Sequence, residues 1–422
     1  MKAQRHRRRM RFGMKWTVAA LGIGLAALVL AGCACERPEA RRPPGRTAAP
    51  EIPTIRVKLG SDAPSVTLAV DGPYRLMRGE EAVASGERLA WTRLALEGGE
   101  ILVGAKSLGP LPLELRPADD GTVAVRFATN GKQTDRAYRG VLRLLATADG
   151  KVQTVNVLPM EAYLAGVLPK ELFARWHVEA YKAQAVAART YALAQRNRRT
   201  GRAFDVYDSQ QSQAYGGKDA ETSKAWEAVE ATRGVVATFR DSAGRTRLLP
   251  TYYHSTCGGA TCPSGALFGG ETPAPLAGVR CPYCLRSTKF RWSGVVLTKK
   301  EIAETLRASG VPALARLKDV VRVEVAETTS GGRATRLRIT NSADTALLVD
   351  ANFWRGWMGS LRVPSTWFTV HDDGDRIVLD GHGFGHGVGL CQYGAEYLAS
   401  HGLTGEQIIR FYYPGAVLVR AY

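Results

Sequence analysis

The sequence predicts a β-rich α+β protein with a few helices, and three observations carry that expectation. Short runs of β-branched and apolar residues alternate with turn signals from Ile55 to about Leu158. Helical periodicity begins only near Met160, and glycine then punctuates the C-terminal part, most densely from Asp380 to Gly389. With 45% hydrophobic and 23% charged residues, the 422-residue chain has an ordinary globular composition, which excludes wholesale disorder and a collagen-like fibre.

Before the folded body comes an address. Lys2 to Lys15 is strongly basic, and Trp16 to Ala31 is an uncharged apolar run of 16 residues. That is short of the roughly 20 residues a spanning helix needs and suits the hydrophobic region of an export signal. The run ends at Leu30-Ala31-Gly32-Cys33, which resembles a bacterial lipobox, with Cys33 as the lipidation site; the plainer alternative is a retained membrane anchor. Residues 1–32 are therefore expected to be a lipoprotein signal peptide and 33–53, rich in Pro, Arg, Ala and Glu, a tether. The expected location is outside the cytoplasm, on the periplasmic or outer face of a membrane. Seven basic residues and no acid precede Cys33, so the net charge of +18 falls to +11 for the rest. A basic balance of that size suits an anionic partner without naming it.

The body, 54–422, divides into a β-rich part, 54–158, and a part with helices, 159–422. Ser65–Val70 precedes the turn Asp71-Gly72-Pro73, and Thr122–Phe127 is a second strand; Val141–Leu145 and Val152–Leu158 flank Asp149-Gly150 as a hairpin. Pro159–Gly166 suits a short helix. Val178–Arg196 suits a long, alanine-rich one whose small side chains let neighbours approach closely. A helix at Lys224–Ala231, strands at Gly234–Phe239 and Leu248–His254, and a helix at Lys299–Ser309 follow. Leu317–Thr328 with Ala334–Ile339 reads as a hairpin, and Gln392–Ser400 as a helix.

Three constellations carry chemistry. Glu171 lies among apolar neighbours in Val167-Leu-Pro-Lys-Glu-Leu-Phe173, where desolvation would raise its pKa as a general acid requires. From spacing alone the plainer reading is preferred, a glutamate satisfying free N–H groups where a helix starts. His382 and His386, four apart, could share a metal on a helix, but the glycines between and after them oppose helix. That loop reads either as a backbone cradle for a ligand or as a tight structural turn. Cys257-x4-Cys262 and Cys281-Pro-Tyr-Cys284, with His254 just upstream, have the spacing of a structural zinc site; outside the cytoplasm disulfides are the main rival, and free thiols the third alternative. Cys391 reads as a buried lone thiol.

Taken together, Val157-Leu-Pro-Met-Glu-Ala-Tyr-Leu-Ala-Gly-Val-Leu-Pro-Lys-Glu171, Glu179-Ala-Tyr-Lys-Ala-Gln-Ala-Val-Ala-Ala-Arg-Thr-Tyr191, Tyr253-His-Ser-Thr-Cys-Gly-Gly259, Gly383-Phe-Gly-His-Gly-Val-Gly-Leu-Cys-Gln-Tyr-Gly-Ala395 and Phe411-Tyr-Tyr-Pro-Gly415 resemble the SpoIID/LytB family. The resemblance covers about 260 residues and implies a SpoIID-like fold with a glycan-binding groove. It implies peptidoglycan glycan strands as partner, and cleavage by a lytic transglycosylase route with Glu171 as general acid and base, leaving 1,6-anhydro-N-acetylmuramic ends. Arg189 would support that site. His254, Ser255, Gly385, His386, Gln392 and Tyr393 would line the groove. Zinc near the block holding His254 fits the family, with His254, Cys257, Cys262, Cys281 and Cys284 as candidate ligands and no cofactor needed for the chemistry. The alternative the family offers is a non-catalytic glycan binder that recruits or stimulates a cell-wall amidase. Nucleic acid drops out as a partner. Two departures stand out: Leu172-Phe173 replaces a Met-Pro pair, and Cys391 stands where serine is common.

Overall fold

The computed structural model describes residues 51–129 and 132–422, so the expected signal peptide, Cys33 and most of the tether lie outside the described residues. The described residues form one compact unit. It is an α+β structure rich in strands.

Alternation of apolar residues builds the N-terminal part. Val66, Leu68 and Val70 in Ser65–Val70, and Ile55, Val57 and Leu59 in Thr54–Ala63, point into one core. Two sheets share that core: a mainly antiparallel seven-stranded sheet centred on Thr54–Ala63, Val152–Pro159 and Val141–Ala146, and an antiparallel six-stranded sheet centred on Ser65–Val70 and Thr122–Thr129. The expected hairpin is present, with Val141 opposite Val157 and Ala146 opposite Val152. The edge of the larger sheet is completed by Val206–Tyr207, which pairs in parallel with Thr54–Ala63, so the later sequence finishes the earlier sheet.

Two helices organise the rest. Met160–Glu171 begins where expected but runs on past Gly166, with Pro169 inside its last turn. Val178–Arg198 is buried on both sides: Tyr181, Ala185, Ala188 and Ala192 face the β-sheet core, while Ala180, Ala183, Val186 and Ala187 face a second core built around the cysteines and the C-terminal helices. Its alanines permit contact on both faces at once.

The expected strand Leu248–His254 is two. Thr246–Leu248 pairs with Val235–Arg240, and Tyr253–His254 pairs in parallel with Leu390–Cys391. Pro250, which has no N–H to offer a ladder, separates them. Residues 291–382 carry a third core of two three-stranded sheets with helices Lys299–Arg307 and Ala351–Met358. The hairpin Trp367–Asp373 with Arg376–His382 and the helix Gly405–Tyr412 are additional to the expected elements. Among the described residues, no helix is long and apolar enough to cross a membrane.

Candidate functional site

Glu171 is the last residue of its helix, and three other segments converge on its carboxyl. Oε1 accepts the Ala214 N–H at 2.9 Å and the Tyr253 hydroxyl at 3.3 Å, and Oε2 accepts the Gln392 side-chain amide at 3.4 Å. Local sequence explains each approach. Gly166, one helix face away, has no Cβ; an added one would meet the Tyr215 ring at 2.6 Å, so glycine lets the segment 213–217 lie across the helix. The Gly216 N–H bonds to Gly166 O at 3.0 Å, which fixes Ala214 over Glu171. Tyr253 and Gln392 arrive together because the strand Tyr253–His254 runs beside Leu390–Cys391, and Gln392 starts the following helix.

The residue keeps partial solvent contact while its carboxyl is desolvated, and burial holds its pKa above the usual carboxylate range. The three hydrogen bonds favour the ionised form and oppose burial without cancelling it. A buried relay stands behind: Tyr163 donates to Gln213 Oε1 at 3.0 Å, Gln213 Nε2 donates to the Tyr253 hydroxyl at 3.0 Å, and Tyr253 donates to Glu171. Such a carboxyl can deliver a proton and take one back. Tyr253 and Gln213 were missed as site residues because neither type signals acid–base work by itself; Tyr253 sits inside the Tyr253–Gly259 block, and that was its only mark.

Arg189 is elsewhere. Its guanidinium bonds Glu161 through Nε at 3.2 Å and Nη2 at 2.6 Å, and both side chains are sealed, at 0% and 3% exposure. It also donates to Val229 O, Val235 O and Thr232. Arg189 is thus a buried strut tying the two long helices to the Ser223–Ala231 helix and the strand after it. The expectation that it supports Glu171 directly is corrected.

His254 is also corrected as a groove residue. It is only 4% exposed, its Nδ1 lies 3.1 Å from Val388 O, and its ring is 5.4 Å from that of His386. Burial keeps His386 neutral, pushing its pKa down to about 3. Tyr393 and Ser255 do meet, through Tyr393 N–H to Ser255 O at 3.1 Å, and Tyr393 stacks edge-on against Trp176 beside Glu171's helix. The glycine loop is a packing device rather than an open cradle. N–H groups of Gly383, Phe384, Gly385, Val388 and Leu390 are spent on Phe290, Thr256, Pro364, His386 and Tyr252. A Cβ at Gly389 would sit 2.1 Å from Tyr252 O, and one at Gly385 2.9 Å from the His254 Cβ.

The cysteines regroup. The sulfurs of Cys257, Cys281, Cys284 and Cys391 all lie within 4.8 Å of one another, and all four residues are buried. Cys257 and Cys284 are 3.4 Å apart as unpaired thiols. Four thiolates around one tetrahedral zinc at about 2.3 Å would be about 3.8 Å apart, so the donor set fits such an ion. N–H groups of Cys257 and Gly259 point at Cys391 and Cys257 sulfur, at 3.2 and 3.5 Å, as donors to thiolates do. Cys391 therefore replaces Cys262 and His254 in the expected ligand set. Cys262 faces the His386 carbonyl instead, at 3.8 Å. Parallel pairing of Tyr253–His254 with Leu390–Cys391 brings Cys391 in, which spacing along the chain could not reveal.

A family model described as stage II sporulation protein matches residues 148–239, which hold Glu171 and both long helices. A second, described as a domain of unknown function, matches 285–389. An uncharacterized protein of Brachyspira hyodysenteriae is 31% identical over 371 residues, covering 86% of this chain and 92% of its own. The Bacillus subtilis stage II sporulation protein D is 28% identical over 71% of this chain and 84% of its own. The Bacillus subtilis amidase enhancer is 30% identical over 60% of this chain but only 40% of its own length. With its motif blocks gathered around Glu171 and these matches along its length, the chain belongs to the SpoIID/LytB family.

Proposed function

We propose that this protein binds peptidoglycan glycan strands and cleaves them as a lytic transglycosylase, with Glu171 as the single acid and base. The observation that carries the reading is one desolvated carboxyl with a raised pKa, held by Ala214, Tyr253 and Gln392 at the meeting point of four segments. Protonated Glu171 gives its proton to the glycosidic oxygen as that bond breaks. The C6 hydroxyl of the same muramyl sugar then closes onto C1, and its proton passes to Glu171. The acid is regenerated, a 1,6-anhydro end forms, and no water is consumed. One carboxyl serves both steps, whereas an ordinary glycosidase uses two.

Zinc at Cys257, Cys281, Cys284 and Cys391 is part of the proposal, as a structural ion that locks the strand pairing under the site; none is needed for the chemistry. So are export and anchoring through lipidated Cys33, which would keep the basic body against anionic wall and headgroups. The relative named as an amidase enhancer favours a second reading, in which the site binds glycan without cutting it and a cell-wall amidase is the partner. The test is digestion of purified glycan strands followed by mass spectrometry. Wild type should leave anhydro-muramic ends and Glu171→Gln none. Binding without such ends in wild type would remove the enzymatic reading and leave the second.

A further inference from the structure

The antiparallel sheet Arg291–Thr298, Arg376–His382 and Trp367–Asp373 gives only one face to its core, through Trp292, Leu297, Phe368, Ile377 and Leu379. The other face has a definite order. Arg291 stands opposite His382 and His382 opposite Trp367, so the three lie abreast; one pleat on, Asp380 stands opposite Thr369. Together with Ser293 they line an open cleft of about 630 Å³, well within the range of small-ligand sites.

The cleft is fixed rather than loose. The Trp367 and His382 rings are 5.1 Å apart at 31°. The buried Arg333 guanidinium lies 5.4 Å from the indole centroid, with its Nε and Nη1 otherwise unpartnered. Gly332 lets the indole edge come close, since a Cβ there would be 2.9 Å from Nε1. Asp380 Oδ1 is held by the Gly294 N–H at 2.8 Å, while nearly half of the side chain stays exposed, 45%.

We propose that this face is a second carbohydrate subsite, taking a pyranose of the glycan strand against Trp367 with its hydroxyls shared between Asp380 and Arg291. A pyranose offers an apolar C–H face rimmed by hydroxyls. An aromatic ring flanked by one planar acceptor and one planar donor is complementary to both features. One apolar ring is too little for a hydrophobic peptide. Along the chain, His382 leads into the loop that delivers Gln392 to Glu171. The inference rests on glycan as the ligand, not on Glu171 cutting it.

Titration calorimetry of full-length protein with purified, peptide-free glycan oligomers tests it, on the Glu171→Gln background so that ligand stays intact. Trp367→Ala should weaken binding about tenfold, the scale of one lost stacking contact, and Trp367→Phe less. Asp380→Asn should weaken it severalfold and provides a variant that leaves the indole and its packing in place. Hydrogen exchange in 367–382 should slow with glycan present and lose that protection in Asp380→Asn. Unchanged affinity in both folded variants overturns the subsite. Loss of affinity in them, with no anhydro ends from wild type, would sustain the subsite and remove the cleavage mechanism, so the two ideas fail separately.

Discussion

Replacing Arg189 by methionine separates a structural strut from a catalytic cation. In wild type the guanidinium makes three contacts to Glu161 of 2.6–3.2 Å and bonds Val229 O, Val235 O and Thr232, all inside the protein. Methionine fills much of the volume but leaves Glu161 with only the Gly234 N–H at 3.1 Å and the Tyr422 hydroxyl at 2.8 Å, both on Oε1. Oε2 is stranded. Breaking a buried pair this way costs about 3–5 kcal/mol, chiefly as an uncompensated charge. At roughly 2.1 cal/mol/K of unfolding entropy per residue, a body of this size changes by about 0.8 kcal/mol/K, so Tm should fall by about 4–6 °C. Calorimetry measures that shift, and the double variant Glu161→Gln, Arg189→Met should recover part of it, because the stranded charge is gone. Cleavage measured well below the melting range should persist. An Arg189→Met protein that melts like wild type yet makes no anhydro ends would refute the strut and return Arg189 to the chemistry.

Other expectations are as direct. Glu171 has a raised folded pKa, so its ionisation costs stability once the pH climbs above the unfolded value; Glu171→Gln should therefore raise Tm at pH 7–8 and leave it unchanged near pH 4. Tyr253→Phe removes a donor to the ionised carboxyl, so the alkaline limb of the pH–activity profile should move up by as much as about one pH unit, read from initial rates. Cys391→Ser should lower bound zinc measured by elemental analysis, while Cys262→Ser should not; equal loss in both would restore the spacing-based ligand set. Chelation should lower Tm in wild type, and reductant should not, if the four sulfurs hold metal rather than disulfides.

Much of the scaffold could be read from periodicity. The pairing of Val141–Ala146 with Val152–Pro159 and the two-sided alanine helix follow from patterns local to their segments. The hairpin of Trp367–Asp373 with Arg376–His382 was harder, because its outward face mixes Trp367, Thr369 and His371 and so blurs the polar alternation that marks a strand.

What the sequence determined by itself is the family and the mixed fold class, since these rest on residue types in short runs whose spacing survives folding; Glu171 was singled out by the resemblance, while its spacing alone favoured the plainer reading. Tertiary structure decided the company each residue keeps. Glu161 took Arg189, Tyr253 and Gln392 took Glu171, and Cys391 displaced Cys262 beside the other sulfurs. The physical reason is common to all of them. A buried charge or thiol is stabilised by whatever polar group lies within about 3–4 Å, and that group is chosen by strand pairing and helix packing between segments far apart along the chain.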